Sequence, residues 1–289
     1  MRCTYTHSMA INVANCLAHP TCVSFGPWAG GAFPFTPLGN HRVYTAAACR
    51  VTLHPAPSAH IGLRGITALR PAVDPAGDTY FLPFSANQIC SMVLPIPVAG
   101  APQSFLTADM DGCRVFVDRV SPPIVPGAAA VPPGAPESLV IYHVNNIANS
   151  PPPGAPVNLE IPACTAQLTA LRTLARADLA AAPYNLILIA SGSISKPAYL
   201  AGAHAEEMRK AADHRTGIEF MGGTMVFGHV NAGHWEIYWT TYGDFEYHRP
   251  AKAPLGWFGH RHRQPNHPEV RMNRVTNNYR MLGSGRIHP

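Results

Sequence analysis

The chain has 289 residues, of which 47% are hydrophobic and only 13% charged, with 30 prolines and 24 glycines. That profile excludes an intrinsically disordered chain, which buries too little apolar surface to offset its chain entropy; folding at this length removes roughly 70–75% of the extended-chain surface from water. The net charge of +5 resides in residues 260–289, which hold six arginines and one glutamate, against 15 basic and 15 acidic side chains elsewhere. A nucleic-acid enzyme would carry a basic face on its body, so this neutral body with a basic tail argues against a nucleic-acid partner.

The elements read as follows in chain order. Residues 1–60 are poorly periodic, with Gly26-Pro27-Trp28-Ala29-Gly30-Gly31 in their midst, and read as an irregular N-terminal part of loops and short strands. Thr79–Leu82 and Cys90–Leu94 are strand-like pieces bounded by prolines. Cys113–Val120 and Ser138–Val144 are strand candidates, and the proline-rich 121–136 between them is a loop, since proline cannot donate to an inner ladder. A second proline loop runs from Ser150 to Pro156.

Residues 164–181 place Leu168, Leu171, Leu174, Ala175 and Leu179 on one side at helical spacing, with Pro183 as a stop. The run Tyr184–Ala190 predicts an inner strand buried on both faces. Residues 197–213 predict a second helix, with Pro197 in its first turn. Ile218–Phe227 and His234–Tyr242 predict a hairpin around 229–233, whose aromatics Trp235, Tyr238, Trp239, Tyr242, Phe245 and Tyr247 suit sheet packing.

The fold class expected is α+β: a sandwich-like core of mixed sheets with helices and long proline-rich loops around it. It is expected as a single catalytic domain over 1–259 followed by a basic C-terminal tail over 260–289.

The seven cysteines are odd in number and irregularly spaced, with no Cys-x-x-Cys. They read as reduced thiols rather than as a disulfide framework. No apolar run reaches eighteen residues, so no membrane span is expected. No classical signal peptide stands at the start, which leaves export by a dedicated secretion route compatible with the chain.

Several metal-like constellations fail on spacing. His204-Ala205-Glu206 lacks the Pro-Cys-x-x-Cys of a zinc deaminase. His260-Arg261-His262 with His267 has no cysteine or carboxylate at ligand spacing, and Cys16, His19 and Cys22 make a poor zinc site. No dinucleotide or Walker fingerprint is present.

The constellation that carries chemistry is Cys113 with His143. Cys113 follows Gly112 and opens a strand, on a rigid element near a rim that substrate can reach. A preceding glycine lets the backbone approach closely and frees amide donors for an oxyanion. His143 closes the strand that the proline loop connects to Cys113. If the two strands pair, thiol and imidazole meet near one open end, and an imidazole promotes the thiolate that attacks.

The stretch Phe105-Leu106-Thr107-Ala108-Asp109-Met110-Asp111-Gly112-Cys113, with Val115-Phe116-Val117 and later Ile141-Tyr142-His143, resembles the catalytic core of the toxin glutamine deamidases, the cytotoxic necrotizing factor and Burkholderia lethal factor group. The resemblance implies Cys113 as nucleophile, His143 as base, Thr107 as the residue orienting the histidine, and main-chain donors at Gly112 and Cys113 for the oxyanion. Met110-Asp111 stands where the family carries Leu-Ser, and the proline loop widens the Cys–His interval.

The activity implied is conversion of a glutamine to glutamate on a host protein such as a small GTPase or a translation factor. It proceeds through a thioester, with transglutamination where an amine replaces water. It requires no metal or organic cofactor, and the protein would be secreted by a non-classical route and act in the host cytosol. Another thiol hydrolase, such as a cysteine protease, and a non-catalytic β-rich binding module remain as alternatives.

Overall fold

The structure, a computed structural model, describes residues 16–17, 21–23, 33–54, 67–85, 88–110, 113–125, 134–144, 162–195, 198, 217–249, 270–271 and 280–289. The predicted helix 197–213 and the histidines at 204, 260, 262 and 267 lie outside these residues, apart from Ala198.

The described residues fold as α+β, with two mixed sheets and one long helix. The first sheet, A, has nine strands in the order β1 (Thr21–Val23), β5 (Thr67–Val73), β4 (Ala48–His54), β6 (Thr79–Leu82), β8 (Ser104–Thr107), β12 (Gly217–Asn231), β13 (His234–Arg249) and β14 (Val270–Arg271), with β15 (Arg280–Ile287) also on β13. The second, B, has six: β11 (Ile187–Ile194), β9 (Arg114–Ser121), β10 (Ser138–Val144), β7 (Ile89–Leu94), β3 (His41–Tyr44) and β2 (Phe35–Leu38).

The facing sides of A and B share one apolar core. Sheet A supplies Leu82, Phe105, Met225 and Phe227; sheet B supplies Met92, Leu94, Val115, Val117 and Ile141. The other side of B packs Val43, Ile89, Phe116, Val140 and Tyr142 against Leu168, Ala175 and Leu179 of helix α1 (Pro162–Ala180). Sheet B is thus an inner layer covered on both faces. Every residue of β10 is buried, and its continuous Leu-Val-Ile-Tyr run suits a strand without a wet side.

The strands at 79–82, 89–94, 114–121 and 138–144 and the helix at 162–180 stand where the sequence places them. The predicted hairpin is longer at both ends and turns at Ala232 (φ 48°) and Gly233 (φ 78°), the pair of positive angles that a two-residue type I′ turn needs.

Two expectations are corrected. The run at 184–190 is not an inner strand: β11 is the edge of sheet B, with Ile187 68% exposed and Leu188 and Ile189 also exposed. Helix α1 lies over β10 and β7 and meets β11 through Arg172 and Ser191, while Ile187, Leu188 and Ile189 stay exposed although their composition is that of a core strand. Leu174 does not share the buried side of α1 but faces outward at 61% exposure, because Arg172, Arg176 and Asp178 take inward positions on that helix. Within the basic segment 260–289, Arg280–Ile287 pairs with β13. Its alternation is interrupted by Gly283 and Gly285, the latter set so close to the Trp239 ring that a Cβ would lie 2.8 Å from its nitrogen.

Candidate active site

β9 and β10 pair antiparallel, with His143 registered against Val115 and Val144 against Arg114. Side chains alternate across a strand, so His143 shares the inter-sheet face with Ile141 and Val115, and Cys113, two residues before Val115, belongs to the same inter-sheet core. Cys113 directly precedes the ladder, whose last pair is Val144 with Arg114, and carrying the alternation one residue further puts it on the face of His143.

His143 is fully buried, and neither ring nitrogen has a hydrogen-bond partner. Its ring centroid lies 5.4 Å from that of Phe84, tilted by 47°. Burial alone pushes its pKa down to about 4, so the imidazole is neutral at physiological pH with a lone pair available. Burying such a ring without a partner costs on the order of 1–3 kcal/mol per unsatisfied group, and unsatisfied buried polar groups are rare enough to call for a reason. Cys113 is a thiol, 5% exposed, and is not hydrogen-bonded to His143.

A third residue, which sequence reasoning missed, belongs to this face. Cys90 on β7 is registered directly opposite His143. Burial, offset in part by hydrogen bonding to Ser85, pushes its thiol up to about 11, so it stays protonated and is the poorer nucleophile. Cys90 and Cys113 flank β10 on two different strands. Strands two apart are separated by roughly 9–10 Å, beyond the span of a disulfide.

The structure does not bring Thr107 to His143 as a hydrogen-bond partner. Thr107 is in β8 of sheet A, where its hydroxyl donates to the Ala108 carbonyl at 2.9 Å and accepts from the Val226 amide at 3.4 Å. Gly112 lies outside the described residues. Among the described residues no group of three or more metal-ligating side chains converges, and no helix is long and apolar enough to cross a membrane.

On the opposite face of sheet B a second polar cluster lies under α1. His41 Nε2 is 2.6 Å from Ser91 Oγ and its Nδ1 is 2.9 Å from Asp178 Oδ2. These are the atom pairs of a serine-hydrolase relay. Ser91, however, sits mid-strand in β7 and is laddered on both sides by β3 and β10, so its flanking amides are committed to the sheet and offer no oxyanion donors. We read it as a tether between helix and sheet. Desolvation lowers the His41 pKa, against the pull of Asp178. Beside it, both oxygens of fully buried Asp118 accept from Arg176 at 2.5 and 2.6 Å, a bidentate pair that fixes the middle of α1.

No protein-family model, no curated protein and no solved structure matches this chain.

Proposed function

We propose that the chain is a cysteine-dependent amide hydrolase that deamidates a glutamine side chain on a host protein, with Cys113 as nucleophile and His143 as base. The observation that carries this reading is the buried, neutral, unpartnered imidazole of His143 on the same sheet face as the Cys113 thiol. A general base needs a free lone pair and a pKa near the operating pH; a ring at about 4 takes the thiol proton only once the forming thiolate or the bound substrate raises it, and a fully apolar side chain would serve packing better at that position. The resemblance to the toxin glutamine deamidases supplies the substrate class.

In the proposed cycle His143 takes the thiol proton as sulfur attacks the carboxamide carbon, forming a C–S bond and an oxyanion. Main-chain donors at Gly112 and Cys113 hold that oxyanion in the resemblance-based assignment. The intermediate collapses, the C–N bond breaks, and His143 returns the proton to departing ammonia. Water, activated by the same imidazole, then hydrolyses the thioester to glutamate and restores the thiol. An amine in place of water gives transglutamination. The enzyme would leave its producer by a non-classical route and meet a small GTPase or a translation factor in the host cytosol.

Incubation with a panel of such proteins tests the reading. Ammonia release and a mass gain of about 1 Da on the target, both lost in Cys113→Ser and His143→Ala, are expected. Neither signal on any target, or fragmentation of the target instead, would overturn deamidation.

A further inference from the structure

The helix-facing side of β9 and the edge strand β11 carry a cluster of arginines and serines on the face opposite Cys113. Phe116 is registered against Ser193, and Asp118 against Ser191. The Arg114 and Arg172 guanidinium carbons lie over the Phe116 ring at 4.8 and 4.4 Å. Each guanidinium donates to an exposed serine of β11: Arg114 to Ser193 at 3.2 Å, and Arg172 to Ser191 at 3.1 Å.

Asp118 spends both oxygens on Arg176, so among the described residues no carboxylate pairs with Arg172, whose Nε has no partner there. Burial and the neighbouring Arg176 and Arg114 charges depress the Arg172 pKa, against the pull of Asp118, the direction expected of a cation crowded by cations.

Such a site suits a multiply charged anion. Stacking on an aromatic ring and hydrogen bonds to two hydroxyls hold the guanidiniums in place before a ligand arrives, which cuts the ordering cost of binding. Because each serine oxygen accepts from an arginine, its own O–H remains a donor. Ser191 and Ser193 stand two residues apart on one strand, about 7 Å, so guanidinium and hydroxyl donors line a single short trough.

We propose that the trough formed by Arg172, Arg114, Ser191 and Ser193 over Phe116 binds a phosphate group. A tetrahedral dianion offers several acceptors and the charge that balances Arg172, whereas a carboxylate fills only part of the donor set.

The test is thermal unfolding of the full chain titrated with inorganic phosphate at constant ionic strength, with chloride and acetate as comparators, since unspecific screening acts equally for all. Phosphate should raise Tm saturably, as ligand linkage requires, and chloride and acetate should not. Arg172→Ala should weaken the phosphate affinity about tenfold or more, the loss expected for a charge-assisted hydrogen bond. Ser191→Ala, an exposed change that leaves packing intact, should weaken it several-fold and serves if the arginine variant unfolds. Arg119→Ala, an exposed arginine elsewhere on β9, should leave it unchanged. An equal rise with acetate or chloride, or a phosphate response that persists in Arg172→Ala and Ser191→Ala, overturns the proposal.

Discussion

His143 and Cys113 occupy the same face of the β9–β10 pair with no hydrogen bond between them. The ladder fixes the backbone of His143, Cys113 directly precedes β9, and the imidazole packs against Phe84. A ring buried in this way without a partner costs folding energy and retains its lone pair.

That cost is measurable. His143→Leu replaces an unsatisfied buried ring by an apolar side chain of similar size. It should stabilise the fold by about 1–3 kcal/mol while abolishing deamidation. Urea unfolding checks this: the midpoint should rise with an unchanged m-value. A large loss of stability would mean that the ring has a structural role.

The same ring predicts acid lability. Its pKa is about 4 in the fold against about 6.5 for a free imidazole, so the unfolded chain takes up its proton first. The stability it supports is complete above pH 6.5 and is lost as pH falls from 6.5 to 4, by about 3 kcal/mol in all. His41, also lowered by burial, acts in the same direction below pH 6.5. Unfolding free energy measured across that window should fall steeply in the wild type and less steeply in His143→Leu.

Helix α1 should depend on one ion pair. Arg176→Met would leave the fully buried Asp118 carboxylate uncompensated and destabilise by about 3–5 kcal/mol. Adding Asp118→Leu should recover most of that loss, because removing both partners leaves no orphaned charge. A double-mutant cycle by denaturant unfolding decides it.

Gly77 is held against the backbone of β4. A Cβ built there lies 2.1 Å from the backbone carbon and oxygen of Cys49, and backbone cannot yield as a side-chain tip can. Gly77→Ala should cost roughly 3 kcal/mol or more, read as a drop in Tm.

The sequence made the local elements legible and the long-range ones much less so. β7, β9, β10 and α1 carry strong periodicity or β-branched runs within a few residues. The placement of Cys90 opposite His143 depends on β7 pairing with β10 across the intervening β8 and β9, which no local pattern encodes. His41, Ser91 and Asp178 come from two strands and a helix far apart in the chain, and each looks ordinary alone. The apolar run of β11 misleads because composition reports average burial, whereas an edge is decided by where the covering helix stops. The pairing of the strands beside Cys113 and His143 was legible because one proline loop joins them.

The central claim is that His143 activates Cys113, and competitive alkylation of the native protein tests it most directly. Cys49 and Cys90 are pushed by burial to about 12 and about 11 and should resist iodoacetamide at neutral pH. Peptide mapping should find the label on Cys113 first, slowed by a glutamine-containing substrate and by His143→Ala. Labelling of Cys113 no faster than that of Cys49 and Cys90, or labelling indifferent to His143, would contradict the account.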